Sequence, residues 1–214
     1  MWSFSGAQDW ANLNRFQSAN EALGAPAPDE NRVVFMGNSI TEGWLQDSLM
    51  LFKNPAYVNR GISGQTTPQM LLRFRQDVID LQPKAVVILA GINDIAGNTG
   101  PSSLEMITDN IFSMAELAES NGIAVILCSV LPADDFPWRP GLDPAQKVVA
   151  LNKELQAYAQ KHGHTYVDYF SAMVNDHLGL QEELTYDGVH ATIAGYRVME
   201  PLVEAGIKSA LQRE

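Results

Sequence analysis

The chain has 214 residues, a single cysteine (Cys128), and 25 acidic against 14 basic side chains for a formal charge of −11. A length of this order predicts one domain that buries about 70% of its unfolded surface without help from disulfides or a structural metal, and one cysteine excludes both an internal disulfide and a cysteine-based zinc cluster. The acidic balance has no Lys/Arg cluster to meet a phosphate backbone or anionic lipid, and the longest apolar runs, 85–90 and 123–128, fall far below the roughly 20 residues of a membrane span, so neither nucleic-acid binding nor membrane insertion is expected.

The opening Met1-Trp2-Ser3-Phe4-Ser5-Gly6 has neither the basic nor the apolar region of an export signal. A cytoplasmic protein and an exported one in mature form both fit. Residues 9–23 then read as a helix, with Leu13, Phe16 and Leu23 on one side and Gly24 plus Pro26 as the stop, making residues 1–30 a helical extension. Alternation follows. Short β-rich runs at Val33–Met36, Tyr57–Asn59, Ala85–Leu89, Ala124–Leu127 and Thr165–Val167 are separated by helical or loop segments. A helix is predicted from Thr67 to Leu81, ending before Pro83, with Met70, Leu71, Leu72 and Phe74 as its core-facing stripe. Another runs from Ser103 to Asn121, with Ser102 and Glu105 at capping-box spacing and Asn121-Gly122 as the stop. The next opens at Asp143-Pro144, an N-cap followed by proline, and closes at His162-Gly163. The last covers Ile193 to Leu211, with Pro201 as a kink or break.

Strand and helix in regular alternation mean parallel strands joined by crossover helices. The expectation is one α/β domain over residues 1–214, a three-layer α/β/α sandwich around a sheet of about five strands. In such folds ligands bind beyond the carboxyl ends of the strands. Those ends carry Gly37-Asn38-Ser39, Arg60-Gly61-Ile62-Ser63-Gly64 and Gly91-Ile92-Asn93-Asp94, and Tyr186-Asp187-Gly188-Val189-His190 is expected at the same edge.

Ser39 has two readings here, a helix N-cap and a nucleophile, and the second needs a base within reach. Of His162, His164, His177 and His190, only His190 has an acid, Asp187, spaced to orient it. His162 and His164 flank a helix stop and read as C-terminal capping or solvated residues. Acyl chemistry also needs donors for a developing oxyanion. The Ser39 N–H, the Gly64 N–H and the Asn93 amide are candidates, although Gly64 also reads as a turn glycine and Asn93 as an Asx-turn former. For substrate contact the candidates are Asn38, Trp44, the loop Gly97–Pro101 and the loop Leu131–Asp143 with Trp138; an apolar cover without a ligand role fits these loops equally well.

The four blocks Gly37-Asn38-Ser39, Gly61 to Gly64, Gly91-Ile92-Asn93-Asp94 and Asp187-Gly188-Val189-His190 together resemble, in order and spacing, the SGNH or GDSL-type esterase and lipase family. The resemblance spans residues 33–196. It implies a flavodoxin-like fold, Ser39 as nucleophile, His190 as base, Asp187 as its orienter, and the Ser39 N–H, Gly64 and Asn93 as the oxyanion hole. Two positions depart from the family's habit: Asn38 stands where aspartate is common, and Ala191 where proline is. The function expected is hydrolysis of short acyl esters, acetyl foremost, on carbohydrate or small aryl and alkyl alcohols. Neither metal nor cofactor is expected, and a small-molecule ester is the partner. The alternatives are a lysophospholipase- or thioesterase-type acylhydrolase and a non-catalytic carbohydrate- or ester-binding protein.

Overall fold

Five all-parallel strands, β1 (Val33–Gly37), β2 (Tyr57–Gly61), β3 (Ala85–Leu89), β4 (Ala124–Cys128) and β5 (Thr165–Val167), form one sheet in the order β2-β1-β3-β4-β5. Every residue of β1 and β3 is buried. Apolar runs without polar alternation fit a parallel sheet that helices cover on both faces. Helices α3 (Thr67–Asp77), α5 (Leu104–Glu119) and α6 (Ala145–His162) pack side by side on one face, and α8 (Ile193–Leu211) crosses β3, β4 and β5 on the other. The short helices α1 (Gln17–Leu23), α2 (Ser39–Glu42), α4 (Ile92–Ile95) and α7 (Phe170–Met173) complete the set. This computed structural model describes residues 9–212, so the amino-terminal hexapeptide read above lies outside the described residues.

The register matters for function. Gly37 at the end of β1 pairs with Gly61 of β2 and Leu89 of β3, so three strands end level. Strand order reverses at β1, the first and second connections leaving to opposite sides. That is the flavodoxin-like order, in which a crevice opens beyond the strand ends at the reversal.

Local detail departs from the sequence expectation at several points. The helix expected over 9–23 is a helix only over Gln17–Leu23, preceded by turns in which the Asp9 carboxylate accepts the Leu13 and Asn14 N–H groups. The reason is tertiary: Gln65, Gln69 and Gln76 donate side-chain amide hydrogens to the carbonyls of Ala11, Trp10 and Leu13, which an extended helix would have kept for itself. The helix expected over 67–81 ends at Asp77, Val78 leaves helical geometry, and a 3₁₀ turn follows at Ile79–Leu81. Within it Met70 and Phe74 are buried, but Leu72 faces solvent. Ser103 rather than Ser102 caps α5, accepting from the Met106 N–H at 3.1 Å. Asp143 sits at φ 54° and Pro144 takes the cap position of α6. Pro201 lies on the exposed side of α8 without ending it; the packing of that helix on three strands offsets the one ladder bond proline removes.

Beneath the crevice lies a buried ion pair. Arg73 of α3, with no exposed surface, donates to Asp77 at 3.1 Å, to Gln65 Oε1 at 2.6 Å and to the Gly37 carbonyl at 3.1 Å. Asp77 Oδ1 also accepts from Asn20 Nδ2 at 2.8 Å. Removing one member of such a pair leaves the other charge buried and alone. Arg73→Ala is therefore expected to cost about 3–5 kcal/mol in urea denaturation, and the apolar double replacement Arg73→Met/Asp77→Leu markedly less. A loss under about 1 kcal/mol for Arg73→Ala would show that the pair does not hold this layer together.

Candidate active site

The nucleophile candidate sits where β1 turns sharply into α2. Asn38 caps that helix, its Oδ1 accepting the Ile40 N–H at 3.0 Å, so the capping role open to Ser39 belongs to its neighbour. Ser39 is then the first helical residue, and its N–H is one of the donors a helix start leaves without an internal partner. The turn requires glycine at the facing strand end. A Cβ on Gly61 would stand 2.3 Å from the Glu42 nitrogen and 2.8 Å from the Asn38 oxygen.

Ser39 Oγ lies 2.9 Å from His190 Nε2, and His190 Nδ1 lies 2.7 Å from Asp187 Oδ2. For Nε2 to accept the serine hydrogen, the ring proton belongs on Nδ1, where it is donated to Asp187. Burial acts to raise the Asp187 pKa, but the backbone and ring N–H groups of His190 and the Val189 N–H outweigh it and hold the carboxyl below its ordinary range. The acid thus stays ionised where it can orient the ring. Thr185, which sequence reading passed over, fastens this loop: its Oγ1 donates to the His190 carbonyl at 2.8 Å and accepts from the Gly188 N–H at 2.9 Å.

The donors assemble on the other side of Ser39. Gly64, at φ 78°, occupies a left-handed conformation that strains other residues. Its carbonyl accepts from Asn98 Nδ2 at 3.2 Å, which ties this turn to the loop Gly97–Pro101, and Gly64 borders the cleft. Asn93 is nearly fully buried and donates one amide hydrogen to the Gln65 carbonyl at 2.9 Å, leaving the second for a ligand. Ser39, Gly64, Asn93 and His190 all line one open cleft of about 510 Å³. Such an arrangement can add a serine oxygen to a carbonyl and stabilise the oxyanion that results.

The three proposed substrate contacts fare differently. Trp138 borders the cleft with its ring 5.9 Å from that of His190. Trp44 does not: at 2% exposure it packs among Phe35, Phe52, Tyr169 and Tyr196 beneath the site, because the aromatic core under α2 takes it. Asn38 is likewise buried, and its side-chain role is the α2 cap; its Nδ2 has no hydrogen-bond partner among the described residues. Tyr186, not singled out from the sequence, is 70% exposed and stacks on His190 at 5.7 Å and 11°. Of the loop Leu131–Asp143, Phe136 is core and Arg139 grips the Ala96 and Gly97 carbonyls, while Asn98 brings the loop Gly97–Pro101 to the cleft.

The sequence profile of the GDSL-like lipase/acylhydrolase family matches residues 35–198. The chain belongs to this family. A GDSL-like lipase structure from Bacteroides thetaiotaomicron is 50% identical with a TM-score of 0.90, covering 94% of this chain and 98% of that one. An acetylxylan esterase of Xylanibacter ruminicola is 25% identical over 88% of this chain, which spans 45% of that protein's length. The esterase TesA of Pseudomonas aeruginosa is 27% identical over 74% of this chain and 75% of its own.

Two carboxylates tie together the segments around the site, Glu42 at the cleft and Asp94 buried. Glu42 accepts the Ser63 N–H at 2.8 Å and the Ser63 hydroxyl on one oxygen and Arg15 at 3.1 Å on the other, which anchors the loop carrying Gly64. Burial, the largest influence, raises the Glu42 pKa, but these hydrogen bonds prevail and the net shift is downward. Asp94 of the GDSL-type third block accepts the Thr67 N–H on both oxygens at 3.0 Å and the Thr67 hydroxyl at 2.6 Å, docking α4 on the start of α3. Here burial prevails over the opposing Thr67 bonds, and the carboxyl is pushed up from 3.8 to about 6. The folded state thus holds this proton more tightly than the unfolded chain, so Asp94 favours folding fully below 3.8, and that contribution is lost as pH rises through about 6. Asp94→Asn is expected to flatten this limb when urea stability is measured between pH 4 and 7, and an unchanged slope would show that Asp94 does not titrate there.

Proposed function

We propose that the chain is a serine carboxylesterase that removes short acyl groups, acetyl foremost, from a carbohydrate-like alcohol. The observation that carries the reading is the unbroken chain of contacts from Ser39 Oγ to His190 Nε2 at 2.9 Å and from His190 Nδ1 to Asp187 at 2.7 Å, opening on a cleft with Gly64 and Asn93. Ser39 Oγ attacks the ester carbonyl carbon as His190 Nε2 takes its proton, and the Ser39 and Gly64 N–H groups with Asn93 hold the oxyanion. The tetrahedral species collapses, the C–O bond to the alcohol breaks, and the alcohol leaves with the proton from His190. Water then attacks the acyl-serine carbonyl, giving its proton to His190; the Ser39 Oγ–C bond breaks, His190 returns the proton to Oγ, and the acid departs.

The lining supports the short acyl group. Among the described residues, no Leu, Ile, Val, Met or Phe borders the cleft, and a long acyl chain finds no apolar channel among them to fill. The alcohol side is framed by the rings of Trp138 and Tyr186 next to His190, both substantially exposed, with Gln46, Ser63 and Asn98 as polar partners. Aromatic faces beside hydrogen-bonding groups suit a sugar ring, and the similarity to an acetylxylan esterase points the same way.

The test is hydrolysis of p-nitrophenyl acetate, longer p-nitrophenyl esters and acetylated xylo-oligosaccharides. Wild type is expected to prefer acetyl, Ser39→Ala to lose about 10⁴–10⁶ in kcat, and Asn93→Ala about 10²–10³. Near wild-type turnover in Ser39→Ala would remove the nucleophile assignment. A rate that climbs with acyl length would instead favour a lipase- or thioesterase-like specificity.

A further inference from the structure

Three side chains with metal-ligating chemistry converge at the edge of the sheet opposite the cleft, where β4 and β5 begin. Glu119 is the last residue of α5, His162 the last of α6, and His164 immediately precedes β5. Between the histidines Gly163, in the left-handed conformation at φ 71°, turns the chain so that both rings stand on one side, 5.8 Å apart and 20° from parallel. One ligand atom from each of the three residues lies within 4.8 Å of the other two. Even so, among the described residues no ion pair joins Glu119 to either ring.

Two further observations show donor capacity here that the protein does not use. Among the described residues, His164 Nε2 is buried with no hydrogen-bond partner, and so is the hydroxyl of Thr165, a residue only 7% exposed that lines the same cavity. Buried polar atoms of this kind ordinarily find a partner. The cavity, about 290 Å³, has room for an ion and its waters. Tyr158 stacks on His162 at 4.1 Å and braces that ring.

We propose that Glu119, His162 and His164 form a binding site for a divalent transition metal of the zinc class, separate from the ester-hydrolysing cleft. Two imidazoles and one carboxylate suit Zn²⁺, Ni²⁺ or Cu²⁺ and give little to Mg²⁺ or Ca²⁺, which favour oxygen. Tetrahedral zinc sets its ligand atoms about 3.4 Å apart. Glu119 is exposed, and its flexible side chain can close the difference toward the ring that Tyr158 braces. A water in the fourth position has the Thr165 hydroxyl available in the same cavity. The ion would join the end of α5 to the α6–β5 turn, and because the unfolded chain lacks the site, binding would stabilise the fold.

The experiment is isothermal titration of the full chain with ZnSO₄, alongside thermal melts with Zn²⁺ and with Mg²⁺. Wild type is expected to bind one equivalent of Zn²⁺, to melt about 5–10 °C higher at a hundredfold excess over Kd, and to ignore Mg²⁺. Glu119→Gln and His162→Ala, both at exposed positions, are expected to melt like wild type without metal and to lose at least tenfold in zinc affinity. Co²⁺ in place of Zn²⁺ should give the absorption of a tetrahedral site in wild type alone. Undiminished zinc affinity in the two variants, or no zinc bound by wild type, would overturn the proposal and leave the rings as a packing stack on Tyr158.

Discussion

The site rests on one buried cation. Arg73 joins three pieces of chain that would otherwise have no reason to stay in register: the Gly37 carbonyl at the end of β1, the Gln65 side chain after the second strand, and Asp77 one turn further along its own helix. Gln65 in turn holds Asn93 through its main-chain carbonyl and the amino-terminal segment through its amide. One guanidinium therefore links the strand end before Ser39 to the segment that holds Asn93. Its charge requires the buried Asp77, and Asp77 draws in Asn20 of α1, so that helix is tied to the same network.

The chemistry is built at the other end of these restraints. Ser39 and His190 meet across 151 residues of sequence, and nothing local ensures it. The level ends of β1, β2 and β3 place the serine turn and both donor loops at one edge. The loop that brings the histidine has its own ties, with Thr185 holding the His190 carbonyl and Asp187 accepting three N–H groups. As the proposed base, a histidine held this way would need little reorganisation when charge moves, which is where preorganised polar groups contribute most to catalysis.

Much of this was legible in the sequence because the signals were local or additive. Apolar runs specified the central buried strands, and three short blocks at strand ends with a fourth before the last helix pointed to Ser39, Gly64, Asn93 and His190 at one cleft, with Asp187 bonded to His190. What the sequence hid depends on contacts between distant segments. Trp44 follows the serine closely and reads as a cleft residue, yet its ring faces the aromatic core that Tyr169 and Tyr196 bring from the far end of the chain. The amino-terminal helix is cut short by glutamines of another element, which no local propensity reports. Tyr186 is the reverse case: an aromatic beside the Asp187 block was in plain view, and only its stacking on His190 gives it a place at the cleft.

The central claim is that Ser39 is made nucleophilic by His190 and Asp187 and becomes acylated. Intact-mass analysis after exposure to a fluorophosphonate tests it without presuming a substrate, since the reagent reacts with an activated serine hydroxyl and not with an ordinary one. The account predicts one adduct per chain, mapped to the peptide containing Ser39, absent in Ser39→Ala and strongly slowed in His190→Ala. An unmodified wild type, or an adduct that persists in Ser39→Ala, would contradict it.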